Sequence, residues 1–220
     1  MMNGMKPNKK VVAAGHICLD ISPVFPDGCR GEVHKILVPG KLVNVGEAQV
    51  HIGGSVGNAG LAMAFFGADV RLMGKIGTDE FGEIAGHIIR SHGVKEGLIV
   101  SEDSHTSYTV VLSLPGQDRI FLHHPGANDT FSFDDLDLDA IRDASVFHFG
   151  YPPLMQRLYN NGGQELARIF REVSALGVVT SLDLAAVDPT SEAGGVDWQA
   201  VLKETLPYVD LFAPSVEELL

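Results

Sequence analysis

Two adjacent glycines, Gly53 and Gly54, stand directly before a run of small and apolar residues from Val56 to Phe66, and Gly67 follows that run. Residues without side chains let a backbone approach a ligand or another element closely, and the first turn of a helix offers free N–H donors beside them. The run therefore reads as a helix that opens on His51-Ile52-Gly53-Gly54-Ser55-Val56-Gly57-Asn58-Ala59 and stops where Gly67 can turn left-handed. A polar ligand fits such a loop; a tight turn, or a helix packed closely on its neighbours, fits it equally well. Two phosphate-binding motifs are excluded. The stretch lacks the Lys-Ser/Thr ending of a P-loop, and its glycines do not follow the G-x-G-x-x-G spacing.

The surrounding pattern is that of an α/β chain. Val11 to Ala14 reads as a buried strand ending at Gly15, which delivers Asp20 just past its carboxyl end, where open α/β sheets place ligand contacts. Ile36 to Ile52 mixes Val, Leu and Ile with Pro39, Gly40 and Gly46, a composition for short irregular strands outside the main sheet. Asp69 to Gly74 is a strand. Phe81, Ile84, Ala85, Ile88 and Ile89 recur at the spacing of a helix buried on one face, with Asp79 to cap it and Gly93 to end it. Tyr108 to Leu114 and Arg119 to His123, joined by Pro115-Gly116-Gln117-Asp118, form a hairpin. Strands at 144–150, 178–184 and 210–213 then alternate with helices around Leu166–Val173 and Trp198–Leu206, which implies a parallel sheet with right-handed crossovers.

Composition narrows the partners. A formal charge of -12 leaves no basic stripe for nucleic acid and none for an anionic membrane surface. Two cysteines, Cys18 and Cys29, at no motif spacing fit a reduced, cytoplasmic protein without a structural disulfide. The N-terminal Met1–Lys10 segment leads into an apolar run too brief and interrupted for a signal peptide, and no segment has the continuous apolar length needed to span a bilayer.

A second block, Gly67-Ala68-Asp69-Val70-Arg71-Leu72-Met73-Gly74-Lys75-Ile76-Gly77-Thr78-Asp79-Glu80-Phe81-Gly82, is linked to the first. Together the two blocks resemble the N-terminal signature of the ribokinase-like (PfkB) family of sugar and nucleoside kinases, and the resemblance runs from Val11 to the end of the chain. It implies a three-layer α/β/α sandwich with a mostly parallel central sheet, all 220 residues in one such domain, and a small β-sheet lid built from segments near 21–50 and 100–125. It places Asp20, Gly53, Gly54 and Asn58 at the positions that bind sugar hydroxyls, a chemistry that suits them, since a carboxylate accepts from two neighbouring hydroxyls while an amide donates and accepts. The implied reaction is transfer of the ATP γ-phosphoryl group to a hydroxyl of a sugar or nucleoside, assisted by Mg²⁺ and an aspartate base, and the lid often supplies a homodimer surface.

The resemblance also divides the remaining polar residues. The aspartate base belongs to a Gly-Ala-Gly-Asp loop that this sequence lacks, so no catalytic residue is assigned and the chain alone is expected to be inactive. Gly126-Ala127-Asn128-Asp129-Thr130-Phe131 resembles that loop superficially but follows the hairpin; Asn128 is read as a substrate contact and Asp129 is not read as the base. Pro214-Ser215-Val216-Glu217-Glu218 matches an Asn-x-x-Glu segment that organises Mg²⁺ and phosphates, with Ser215 in the asparagine slot and Glu218 keeping the acid. Asp183, ending a strand, faces the phosphate side on this reading. His123 and His124 are read as lid residues, and the acidic residues 134–139 as a solvated helix start. The chain stops in what reads as the opening turn of a helix after Pro214, as a chain with a missing continuation would. A nucleoside kinase of the same fold and a non-catalytic sugar-binding or regulatory protein are the competing expectations.

Overall fold

Strand segments that are apolar at every position need cover on both faces, and here they line up side by side. The computed structural model describes residues 9–219; Met1–Asn8, most of the segment read above as lacking a leader, lie outside the described residues. The chain opens with β1 (Lys10–Gly15), passes almost at once into β2 (Cys18–Pro23), makes the single turn α1 (Val33–Ile36) and returns as β3 (Ala48–Gly53). Next come α2 (Gly54–Phe65), β4 (Asp69–Met73), β5 (Lys75–Gly77), α3 (Glu80–Ser91), β6 (Lys95–Glu96) and β7 (Ile99–Ser101). The hairpin β8 (Tyr108–Leu112) and β9 (Ile120–His124) leads through short 3-10 turns to α4 (Leu138–Arg142) and β10 (Val146–Gly150). The chain closes with α5 (Gln156–Ser174), β11 (Val179–Asp183), α6 (Trp198–Thr205) and β12 (Leu211–Phe212).

Six strands make one parallel sheet in the order β12-β11-β10-β1-β4-β6. Successive side chains of a strand point to opposite faces, and β1 divides its residues accordingly. Val12 and Ala14 join Phe147, Phe149, Ile169 and Phe170 under α5, whereas Val11 and Ala13 join Val70, Leu72, Val56, Ala85 and Ile89 under α2 and α3. The result is an α/β/α sandwich. The remaining long strands form a second sheet, β3-β2-β8-β9, in which β2 runs antiparallel to β3 and parallel to β8. Leu19 and Ile52 of this sheet are buried in the α2/α3 core, with Tyr108 packed edge-on against Phe81 at 5.3 Å. The second sheet is thereby fixed above one end of the first.

The structure amends several expectations. Asp20, expected just past the end of β1, lies on a strand of its own, β2, which pairs with β3 and β8. The segment 36–52 yields one strand, Ala48–Gly53; Pro39, Gly40 and Gly46 keep the preceding residues out of a ladder, and a short helix ends at Ile36. Ile84 is exposed, so the buried stripe of α3 consists of Gly82, Ala85, Gly86 and Ile89. The long helix α5 is broken at Asn160–Gly163, where Asn161, Gly162 and Gly163 are left-handed, and at Gly163 a Cβ would also crowd Val201 of α6. After Pro214 the described residues form a turn and not a helix.

Helix α3 owes its position to Asp79. One carboxylate oxygen accepts from the Gly82 N–H at 2.9 Å as an N-cap, and the other accepts from the Thr106 N–H at 2.7 Å, tying the helix to the strand leading into β8. Burial would raise this carboxyl, but the hydrogen bonds from Thr106 and Gly82 outweigh it and hold its pKa below the ordinary value. Asp79→Ala leaves both N–H groups without acceptors and is expected to destabilise the fold by about 2 kcal/mol, measured by urea unfolding. An unchanged midpoint would show that the cap carries no stability.

Candidate functional site

The order of the main sheet reverses at one point. From β1 the chain builds β4 and β6 on one side, then crosses to add β10, β11 and β12 on the other. Connections leave β1 and β10 in opposite directions, which opens a crevice beyond their carboxyl ends, the place where open α/β sheets bind ligands. The residues that follow those ends are His16 and Tyr151.

Three backbone segments meet there with almost no side chain between them. Gly15 and Gly150 are paired in register, Gly15 has φ of 114°, and a Cβ on it would overlap the Gly150 carbonyl. The start of α2 lies over this pair, with the Val56 N–H donating to the His16 carbonyl at 3.1 Å and the Ser55 hydroxyl to the Gly150 carbonyl at 3.0 Å. Gly53 and Gly54 occupy the point of closest approach. A Cβ on Gly53 would run into the Asp20 carboxylate, and one on Gly54, whose φ is 74°, would come within 2.6 Å of His16 Nδ1. The close-packing reading of the glycine pair therefore holds, and that packing lays bare backbone beside a carboxylate.

The wall above this floor comes from the second sheet. Asp20 of β2 is paired with His51 of β3 and Thr109 of β8, and Thr109 with His123 of β9, so these four share one face. A groove of about 420 Å³ continues along that face past Ser22, Gln49, Val111 and Phe121. The Cys18 thiol donates to Asp20 Oδ1 at 3.2 Å; burial, and then the Asp20 charge, raise its pKa and keep it protonated. The Thr109 hydroxyl lies 2.9 Å from His123 Nδ1. Burial depresses the His123 imidazole, against the pull of Asp20 in the other direction. Asn58 is exposed on α2, and the nearby Tyr151 hydroxyl has its pKa raised by burial, with Asn58 acting in the opposite direction.

Not every expected site residue reaches this crevice. Asn128 is fully buried, with its Oδ1 accepting from the Ile17 N–H at 3.1 Å and its Nδ2 donating to the carbonyls of Ile17 at 2.8 Å and Pro125 at 3.0 Å. Its amide clamps the β1–β2 connection and presents no free surface to a substrate, which corrects the reading of it as a substrate contact. Asp129 accepts from the Gln156 N–H at 3.1 Å and caps the start of α5. On the far side of Tyr151, Asp183 ends β11 beside Glu218, whose carboxylate accepts from the Ser215 N–H at 2.7 Å. His16, Cys18, Thr109 and Tyr151 escaped the sequence reading. Only the first carried a signal, being the residue after the glycine that ends a buried strand.

Asp183 is pushed up to about 6, first by burial and then by the Glu218 charge. With the folded-state value above the ordinary 3.8, the native chain holds a proton there that the unfolded chain releases, so this contribution to stability is lost as pH rises through that window. Asp183→Asn is expected to gain melting temperature relative to the parent chain between pH of about 4 and about 6 and to hold a constant difference above about 7. A difference that is flat from acid to neutral pH would refute the assignment.

A family model described as pfkB family carbohydrate kinase matches residues 8–220. Fructokinase-1 of Zea mays is 28% identical over 127 residues, which cover 56% of this chain and 39% of the relative. Fructokinase-2 of Solanum lycopersicum is 26% identical over 178 residues, covering 80% and 51%. A fructokinase with bound ATP from Xylella fastidiosa superposes with a TM-score of 0.69 at 21% identity, over 93% of this chain and 60% of that one. The ribokinase of Giardia lamblia gives 0.69 at 15% identity, over 96% and 63%. The chain thus spans 39% to 63% of the length of these relatives and structures. With the family model matched from before β1 to beyond β12, the chain belongs to the pfkB family of carbohydrate kinases.

Proposed function

We propose that this chain binds a sugar over the Gly53–Gly54 backbone and serves ATP-dependent phosphorylation of one of its hydroxyls. The observation that carries the reading is the Asp20 carboxylate, held against a backbone position where no Cβ fits, at the crevice where the strand order reverses. A carboxylate accepts from two adjacent hydroxyls, and its charge strengthens both bonds. Exposed Asn58, on the first turns of α2, adds an amide within the same crevice. The second sheet, carrying His51, Thr109 and His123 on the face shared with Asp20, acts on this reading as the lid that excludes water from the reacting hydroxyl. The named fructokinases and the ribokinase among its relatives support a sugar over a nucleoside.

The residues beyond Tyr151 fit a magnesium-bound nucleotide. Mg²⁺ takes oxygen ligands, commonly one or two carboxylates together with phosphate oxygens and water, and Asp183 and Glu218 supply such a pair. Burial first and the Glu218 charge second raise Asp183, and a bound dication would offset both. Among the described residues no group of three or more His, Cys, Asp or Glu side chains is placed to hold a metal alone. When bound, ATP would supply the γ-phosphoryl group and Mg²⁺ would offset its charge. The chain's own part is to hold the acceptor hydroxyl between Asp20 and the start of α2.

Asp20→Ala is expected to abolish the rise in melting temperature that the unmodified chain shows with its sugar, tested across free hexoses and pentoses by thermal denaturation. Loss of a charged acceptor from two hydroxyls weakens binding by about a hundredfold. Equal stabilisation of the variant and the parent by the same sugar would sink the assignment of this crevice.

A further inference from the structure

His16 is placed as a ligand group and has no other evident task. Its backbone is fully used, the N–H donating to the Gly150 carbonyl at 3.2 Å and the carbonyl accepting from Val56. Its side chain is only 1% exposed, and neither Nδ1 nor Nε2 has a hydrogen-bond partner in the protein. A neutral imidazole carries one donor and one acceptor, and each costs about 1–3 kcal/mol when buried unpaired. The other buried histidine with an orphan nitrogen, His148, pairs its Nδ1 with Ser181 Oγ at 3.1 Å. His16 leaves both nitrogens unmet.

The glycine pair links this ring to the proposed sugar site. Gly53 abuts the Asp20 carboxylate and Gly54 abuts His16 Nδ1, so the two groups stand against adjacent backbone positions. The rings over His16 are His123 at 5.3 Å and Tyr151 at 6.3 Å between centroids, and neither is itself buried from solvent. Burial, reinforced by His123, draws the His16 pKa down to about 3, so the imidazole is neutral at physiological pH. A neutral ring has no charge to offer a phosphate, and its donor and acceptor match a hydroxyl, which can accept from one nitrogen and donate to the other.

We propose that His16 is a specificity-determining residue whose ring nitrogens are reserved for a hydroxyl of the sugar bound over Asp20 and Gly53. The proposal rests on the sugar-site reading above. It accounts for a polar side chain kept in an apolar setting at a cost to stability, because a site built to bond a hydroxyl rejects the analogue that lacks it.

The test is His16→Phe in the 220-residue chain, with D-fructose, D-ribose and their monodeoxy analogues as probes. Phenylalanine keeps a flat ring and removes both orphan nitrogens, so the variant is expected to melt no lower than the parent while binding the sugar about tenfold or more weakly. One deoxy analogue is expected to lose about tenfold or more against the parent and almost nothing against the variant, with His16→Asn, which keeps a donor and an acceptor, recovering part of the discrimination. Equal sugar affinity in parent and His16→Phe would overturn the proposal while leaving the sugar site standing. If His16→Phe fails to fold, the ring ¹⁵N resonances of His16 in the unmodified chain decide: a shift on saturation with sugar supports the proposal, and unchanged resonances overturn it. A parent chain stabilised by no sugar of the panel would overturn the site itself, and the role of His16 with it.

Discussion

The structure depends on the contact of three backbones where β1, β10 and the start of α2 converge. Gly15, Gly53, Gly54, Gly57 and Gly150 each stand where an added Cβ would overlap a neighbouring carbonyl or side chain. At Gly15, Gly54 and Gly57 the clash is with backbone, so a methyl group there would push elements apart, because interiors are packed too densely to absorb it. The consequence reaches well beyond packing. With α2 pressed onto the strand ends, its Val56 N–H is taken up by the His16 carbonyl and its Ser55 hydroxyl by the Gly150 carbonyl, and the bare backbone of Gly53 and Gly54 lies beside Asp20 and His16. The same contact that closes the core therefore makes the candidate site.

Periodicity made much of this fold legible. α3 could be read with its cap and its terminator because Asp79 and Gly93 do what those residues do locally, and Gly93 indeed has φ of 68°. The alternation of apolar runs and helices after residue 144 carried the parallel sheet. α2 was harder, since Val56 is the one large apolar side chain on a buried face otherwise made of Gly54, Ser55, Gly57 and Gly60, while Phe65 and Phe66 are exposed, which inverts the usual amphipathic signal. The segment 36–47 failed for a related reason: its Val and Leu residues have strand propensity but no partner strand to pair with.

Among the candidate site residues, those that a motif links in sequence also lie together in the structure. Asp20, Gly53, Gly54 and Asn58 form one constellation in sequence and are gathered at one crevice in space. Asn128 was misjudged because an amide beside a glycine turn looks the same whether it faces a ligand or a backbone; its partners at Ile17 are 111 residues away in sequence. His16 and Tyr151 are single residues whose meaning comes from the reversal of strand order, and that is a property of the assembled sheet.

Departures from good local chemistry are few here and fall close together. Among the described residues, two non-glycine positions have positive φ, Tyr151 at 65° and Asn161 at 52°. Asn161 lies in an ordinary turn and its side chain tolerates that conformation. Tyr151 has no such excuse, and holding a bulky residue left-handed costs about 1–3 kcal/mol. Its ring lies 6.3 Å from His16, where two orphan nitrogens are buried. Strain and unmet hydrogen bonds both lower stability, and sequences shed them where nothing needs them. Tyr151 lies close enough to Asn58, Asp183 and Glu218 for each to influence its phenol. The two costs stand at the ends of β1 and β10, the pair of strands between which the sheet reverses, and a fold selected for stability alone would have placed glycine at 151 and an apolar ring at 16.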